Sequence, residues 1–64
     1  MPVIHVEMFE GRTREQKAAL VRDFTDSFVR HCGGTPDGVQ VIIRDVSRED
    51  WAVAGALVGN PPPR

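Results

Sequence analysis

Val39-Gln40-Val41-Ile42-Ile43-Arg44-Asp45-Val46 is apolar and β-branched through its centre, with its polar residues toward the two ends. Such a run suits a strand covered on both faces. Immediately before it, Gly33-Gly34 supplies a helix C-cap and Thr35-Pro36-Asp37-Gly38 a turn. The helix so ended runs back from Cys32 to Arg14. Its apolar positions Ala18, Val21, Phe24, Phe28 and Cys32, flanked by Leu20 and Val29, recur every three or four residues. Lys17, Arg22, Asp23, Asp26 and Arg30 occupy most of the remaining surface, so the spacing predicts one amphipathic helix of about five turns. Thr13-Arg14-Glu15-Gln16 has the form of a capping box, with Thr13 as N-cap and Gln16 reaching back.

Farther back, Val3 to Phe9 alternates, with Ile4, Val6 and Met8 on one face and Val3, His5 and Glu7 on the other. Glu10-Gly11-Arg12 is the short connection into the helix. Strand, crossover helix and strand make a βαβ unit, with parallel strands and a right-handed connection. Beyond Asp45, Ser47-Arg48-Glu49-Asp50 reads as a solvated turn, and the small apolar stretch from Trp51 to Gly59 as a hairpin. Two strands and one helix leave much of this apolar chain uncovered, so the tail is expected on a neighbouring subunit. Pro61-Pro62-Pro63-Arg64 is expected to be extended or disordered. The expected fold is α/β, one domain over residues 1–64 with residues 60–64 as a flexible tail.

A chain of 64 residues buries only about 60% of the surface its unfolded form exposes. One cysteine, Cys32, forms no internal bridge, and His5, His31 and Cys32 lack zinc-site spacing. Cys32 reads as a small buried hydrophobe on the apolar side of the helix, His5 as an interface or solvent residue and His31 as a last-turn residue suited to the helix dipole. Oligomerisation is then the route to stability. A net charge of -1 with singly scattered basic residues argues against nucleic acid and anionic membrane as partners. The sequence has neither an apolar run of spanning length nor a signal-peptide pattern, and with one unpaired cysteine it points to the cytoplasm.

Pro2 opens the first strand directly. Proline commonly begins an edge strand, but removal of Met1 gives this one a secondary amine that no side chain can imitate. An α-amino group titrates at about 7.7 to 8.0, and an apolar wall with a nearby guanidinium lowers an amine further, into the range of a base at neutral pH.

Met1-Pro2, the first strand, Glu10-Gly11-Arg12-Thr13 with Glu15-Gln16-Lys17, one helix, Val39-Gln40-Val41-Ile42-Ile43, and an aromatic residue before a Gly-containing hairpin occur in an order that resembles the 4-oxalocrotonate tautomerase family. The resemblance covers residues 2 to about 58. It implies a β-α-β protomer that pairs into dimers, three of which form a hexamer. It also implies keto–enol interconversion of 2-oxo acids such as 2-hydroxymuconate, a substrate of aromatic catabolism, with no metal or organic cofactor. Pro2 matches the family's catalytic base, Arg12 an arginine that binds a substrate carboxylate, and Trp51 the aromatic pocket wall. In the best-studied family pattern Gln40 is an arginine that polarises the 2-oxo and carboxylate end from an adjacent subunit. Glutamine donates hydrogen bonds but brings no charge. Arg44 shares the strand face with Gln40 but stands about 13 Å along it, so it serves only through another subunit contact.

Each residue also has a plainer reading: Arg12 as a solvated loop residue, Trp51 as a core or interface anchor, Gln40 as a ladder residue. Two alternatives to a tautomerase stay open. One is a superfamily hydratase or dehalogenase, in which a cationic Pro2 protonates carbon and Glu49 or Asp50 activates water. The other is a ligand-binding or structural oligomer without a reaction.

Overall fold

The computed structural model describes residues 2–58, so Met1 and the tail expected at residues 60–64 lie outside the described residues. Helix α1 runs over Arg14–Cys32, and its capping box is closed. Thr13 Oγ1 accepts from the Gln16 N–H at 3.0 Å, and Gln16 Oε1 accepts from the Thr13 N–H at 2.9 Å. At the other end Gly33 takes φ 87°, where a side chain is strained, and donates its N–H to the Val29 carbonyl at 2.9 Å.

Strands β1, Val3–Phe9, and β2, Gln40–Val46, pair in parallel, with Val3 opposite Gln40 and Phe9 opposite Val46. Parallel pairing follows because α1 carries the chain back to the end where β1 began. The ladder continues past both strand ends: the Gln40 N–H donates to the Pro2 carbonyl at 3.0 Å, and the Glu10 N–H to the Val46 carbonyl at 3.0 Å. Strand β2 begins one residue later than expected, because the Val39 N–H is taken at 3.1 Å by the Pro36 carbonyl of the 3-10 turn Pro36–Gly38. After β2, Ser47 caps a second 3-10 turn, Arg48–Asp50, accepting from the Glu49 N–H at 3.1 Å. Strands β3, Ala52–Val53, and β4, Ala56–Leu57, close as the expected hairpin. Its turn, Ala54-Gly55, has positive φ at both residues, the twist that suits a two-residue connection.

Lys17 Nζ bonds Asp45 Oδ2 at 2.5 Å, which identifies the face of the β1–β2 sheet that α1 covers. Ile4, Val6, Met8, Val41 and Ile43 stand on that face, half-buried. The opposite face carries Val3, His5, Glu7, Gln40, Ile42 and Arg44, all exposed. Among the described residues of the protomer, α1 covers one face of β2, and the other, with Ile42 46% exposed, is left for a neighbouring subunit. None of the described residues is fully buried.

Cys32 departs from expectation as well: it is exposed.

Candidate active site

Parallel pairing sends the expected site residues to two ends of the sheet. Pro2 and Gln40 stand where the strands begin, and Arg12 and Trp51 follow where they finish. With the 7 residues of β1 between them, Pro2 and Arg12 of one protomer are more than about 20 Å apart.

At the first end, Pro2 is half-buried, its carbonyl held in the ladder by the Gln40 N–H. Its ring lines a cleft of about 430 Å³ with Phe28, Cys32, Thr35 and Val39, and with Gly33, Gly34 and Gly38 completing the wall. Among the described residues that line it, Cys32 is the only one with an ionisable side chain. Nearby, Thr35 Oγ1 donates to Asp37 Oδ1 at 2.6 Å. That bond, with one from the backbone N–H of Asp37 itself, holds the Asp37 carboxyl below the usual carboxylate range. The Gln40 side chain is on the exposed face of β2, and Arg44 follows on the same face beyond Ile42. Arg44 Nη1 lies 4.0 Å from Glu7 Oε2, with both side chains mostly exposed.

At the second end, the rings of Phe9 and Trp51 meet at 4.6 Å between centroids, tilted by 59°. The Arg48 guanidinium carbon lies 4.1 Å from the Phe9 centroid, so Phe9 contacts both a cation and the tilted Trp51 ring. Trp51 is tied to both neighbours, its N–H reaching the Arg48 carbonyl at 3.3 Å and its carbonyl accepting from the Val58 N–H at 2.9 Å. It lines a second cleft, of about 230 Å³, with Glu7, Val46, Asp50 and Ala52. Arg12 is exposed, and among the described residues no carboxylate pairs with Arg12 or Arg48. A third groove, of about 400 Å³, runs between α1 and β2 along Arg14, Lys17, Ala18, Val21 and Ile43.

Pro2 and Gln40 thus share an end and a backbone bond, with their side chains on opposite faces of the sheet, and Trp51 and Arg12 share the other end, but one protomer does not join the pairs. Sequence reasoning missed Arg48, which it placed in a solvated turn. The signal was the separation of Arg48 from Trp51 by only Glu49-Asp50, the length of one 3-10 turn. Among the described residues, three or more His, Cys, Asp and Glu side chains nowhere gather to hold a metal ion, and no helix is long and apolar enough to cross a membrane.

Residues 2–60 match the family model described as tautomerase enzyme. The fold is similar to that of a heterohexamer 4-oxalocrotonate tautomerase from Chloroflexus aurantiacus, with a TM-score of 0.88 and 30% identity, covering 95% of this chain and 98% of that one. The chain belongs to the 4-oxalocrotonate tautomerase family. Within that family it is 44% identical over 62 residues to a probable tautomerase of Ralstonia nicotianae, covering 97% of this chain and 95% of the relative. It is also 40% identical over 55 residues to a 2-hydroxymuconate tautomerase of Comamonas testosteroni, covering 86% of this chain and 87% of that one.

Proposed function

We propose that the protein is a cofactor-free keto–enol tautomerase of 2-hydroxydienoates and 2-oxo acids, such as 2-hydroxymuconate, with the Pro2 amine as general base after removal of Met1. The observation that carries this reading is the placement of Pro2, its carbonyl clamped in the ladder and its ring against the apolar walls of Phe28 and Val39. A secondary amine at that spot is held with little freedom left to lose and is poorly solvated, which favours its neutral form. Its nitrogen takes the enol O–H proton. The oxygen becomes a carbonyl as the double bonds shift, and the same proton is returned to carbon at the far end of the diene. Arg12 grips a carboxylate bidentately, Gln40 donates hydrogen bonds to the developing oxyanion, and Trp51 excludes water. Arg44 serves as a weaker, more distant cation, since Glu7 is its neighbour.

The separation of Pro2 from Arg12 along β1 requires a second subunit to bring Arg12 and Trp51 to Pro2. We therefore read the working unit as a homo-oligomer, a hexamer built from dimers, in the cytoplasm. The exposed Val3 and Ile42, with none of the described residues fully buried, support association. A heterohexameric relative supports the hexamer.

Ketonisation of 2-hydroxymuconate by Met-trimmed protein, followed by ultraviolet absorbance, tests the reading. Pro2→Ala is expected to lower kcat/KM by about a hundredfold or more, near 3 kcal/mol of transition-state stabilisation. Equal and feeble rates for both proteins would sink it, leaving a monoacid enol or a non-catalytic oligomer. A second reading, a hydratase or dehalogenase, is favoured by Asp50 lining the cleft beside Trp51, where a carboxylate activates water. Halide release from a 3-haloacrylate that disappears in Asp50→Asn would select it.

A further inference from the structure

The Gln40 position lacks a charge, and the far end of the sheet supplies one. We propose that Arg48 is a second carboxylate ligand of the substrate, working with Arg12 on the carboxylate remote from the enol, so that this chain moves charge recognition from Gln40 to the Trp51 end.

Three observations carry this. First, the guanidinium lies over the Phe9 ring at 4.1 Å, and Phe9 is itself braced by Trp51 at 4.6 Å. The contact holds the guanidinium in place through its attraction to the ring, while its N–H donors are the ones that fork onto a carboxylate. Second, among the described residues no carboxylate takes those donors, even though Glu49 and Asp50 follow directly in the chain. Arg44 and Lys17 differ in this respect, lying beside Glu7 and Asp45. Third, the Glu10 N–H bonds the Val46 carbonyl at 3.0 Å, and Arg12 and Arg48 each follow that crosslink by two residues. The two unpaired guanidiniums therefore leave the same end of the sheet, beside the aromatic residue that walls the pocket. A diacid has a use for the pair, since its second carboxylate lies at the opposite end of the diene from the enol.

The proposal rests on the tautomerase reading, and its test separates the two. The kinetic arm compares 2-hydroxymuconate with 2-hydroxypenta-2,4-dienoate, which lacks the remote carboxylate. Arg48→Ala is expected to lower kcat/KM for the diacid about thirtyfold and to leave the monoacid within about threefold, with Arg48→Lys between wild type and Ala on the diacid. Equal losses on both substrates would make Arg48 a structural support of the aromatic pair and overturn the proposal, as would no loss on either. The binding arm uses fluorescence of Trp51, the single tryptophan, during titration with adipate and with hexanoate. Wild-type protein is expected to prefer adipate by about tenfold, and Arg48→Ala to erase that preference. If turnover proves independent of Pro2 while the adipate preference still depends on Arg48, the reaction is wrong and the ligand assignment stands. Pro2-dependent turnover with no Arg48-dependent preference for the diacid in either arm overturns the assignment alone.

Discussion

The two ends of the β1–β2 sheet are built from different materials. Around Pro2 the walls are largely backbone, aliphatic and aromatic: a ladder bond to the Pro2 carbonyl, a glycine-ended helix, a 3-10 turn and the Phe28 side chain. Around Trp51 the structure is made by side chains, a tilted aromatic pair under a guanidinium with Glu7 and Asp50 close by. A recess lined without charged side chains among the described residues suits a neutral amine, and the guanidiniums of Arg12 and Arg48 at the other end suit a carboxylate despite the acidic Glu7 and Asp50 nearby. Placing the two at opposite ends of parallel strands keeps Arg12 and Arg48 of a protomer from its own Pro2. Chemistry that needs both must borrow one end from a neighbour.

Complementation breaks or confirms that division most sharply. Pro2→Ala and Arg12→Ala proteins, each nearly inactive, are unfolded together and refolded as mixed oligomers. If each site takes Pro2 from one subunit and Arg12 from another, random mixing restores about a quarter of wild-type activity, from near zero in either parent. A site contained in one protomer restores none.

Ile42→Asp addresses the middle of the exposed sheet face, between the two ends. A charge placed where Ile42 is 46% exposed in the protomer is expected to convert the oligomer to monomer by light scattering and to lower the melting temperature by ten degrees or more, of order 2 kcal/mol for so small a domain. An unchanged oligomer would place the contacts elsewhere.

Thr13→Ala opens the capping box at the Arg12 end and is expected to destabilise the helix by about 1 kcal/mol in denaturant titration. Its effect on kcat/KM measures how far the helix entry holds Arg12. Smallest is the change at the Pro2 end in Thr35→Ala, which removes the larger of the two bonds holding the Asp37 carboxyl low. The Asp37 pKa is expected to rise toward its ordinary value in an NMR titration. The sign follows: a carboxyl depressed in the folded state stabilises the fold above its unfolded pKa, and that contribution fades as pH falls through the folded value. Thr35→Ala therefore narrows the stability difference between neutral and acid pH, without a large effect at either.

Much of the architecture was legible beforehand, because it follows from short-range rules. The Thr13 and Gln16 cap, the glycine stop at Gly33, the alternation in Val3–Phe9 and the small-residue hairpin are local patterns, and the structure repeats them within a residue or so. The departures arise where a distant element decides. Val39 is a local exception, its N–H bonded to Pro36 three residues back, and Cys32 is exposed where a buried residue was expected. Arg48 escaped notice because its partner, Phe9, is nearly forty positions away in the chain, joined to it only when β1 and β2 align.

By itself, then, the sequence determined the β-α-β order, the helix limits, family kinship and the residues on which chemistry is proposed, since periodicity, caps and motif order are carried by neighbours along the chain. Tertiary structure alone decided which of those residues meet. Parallel register put Pro2 and Gln40 at one end and Trp51, Arg12 and Arg48 at the other, because a crossover helix returns the chain to its starting side before the second strand begins.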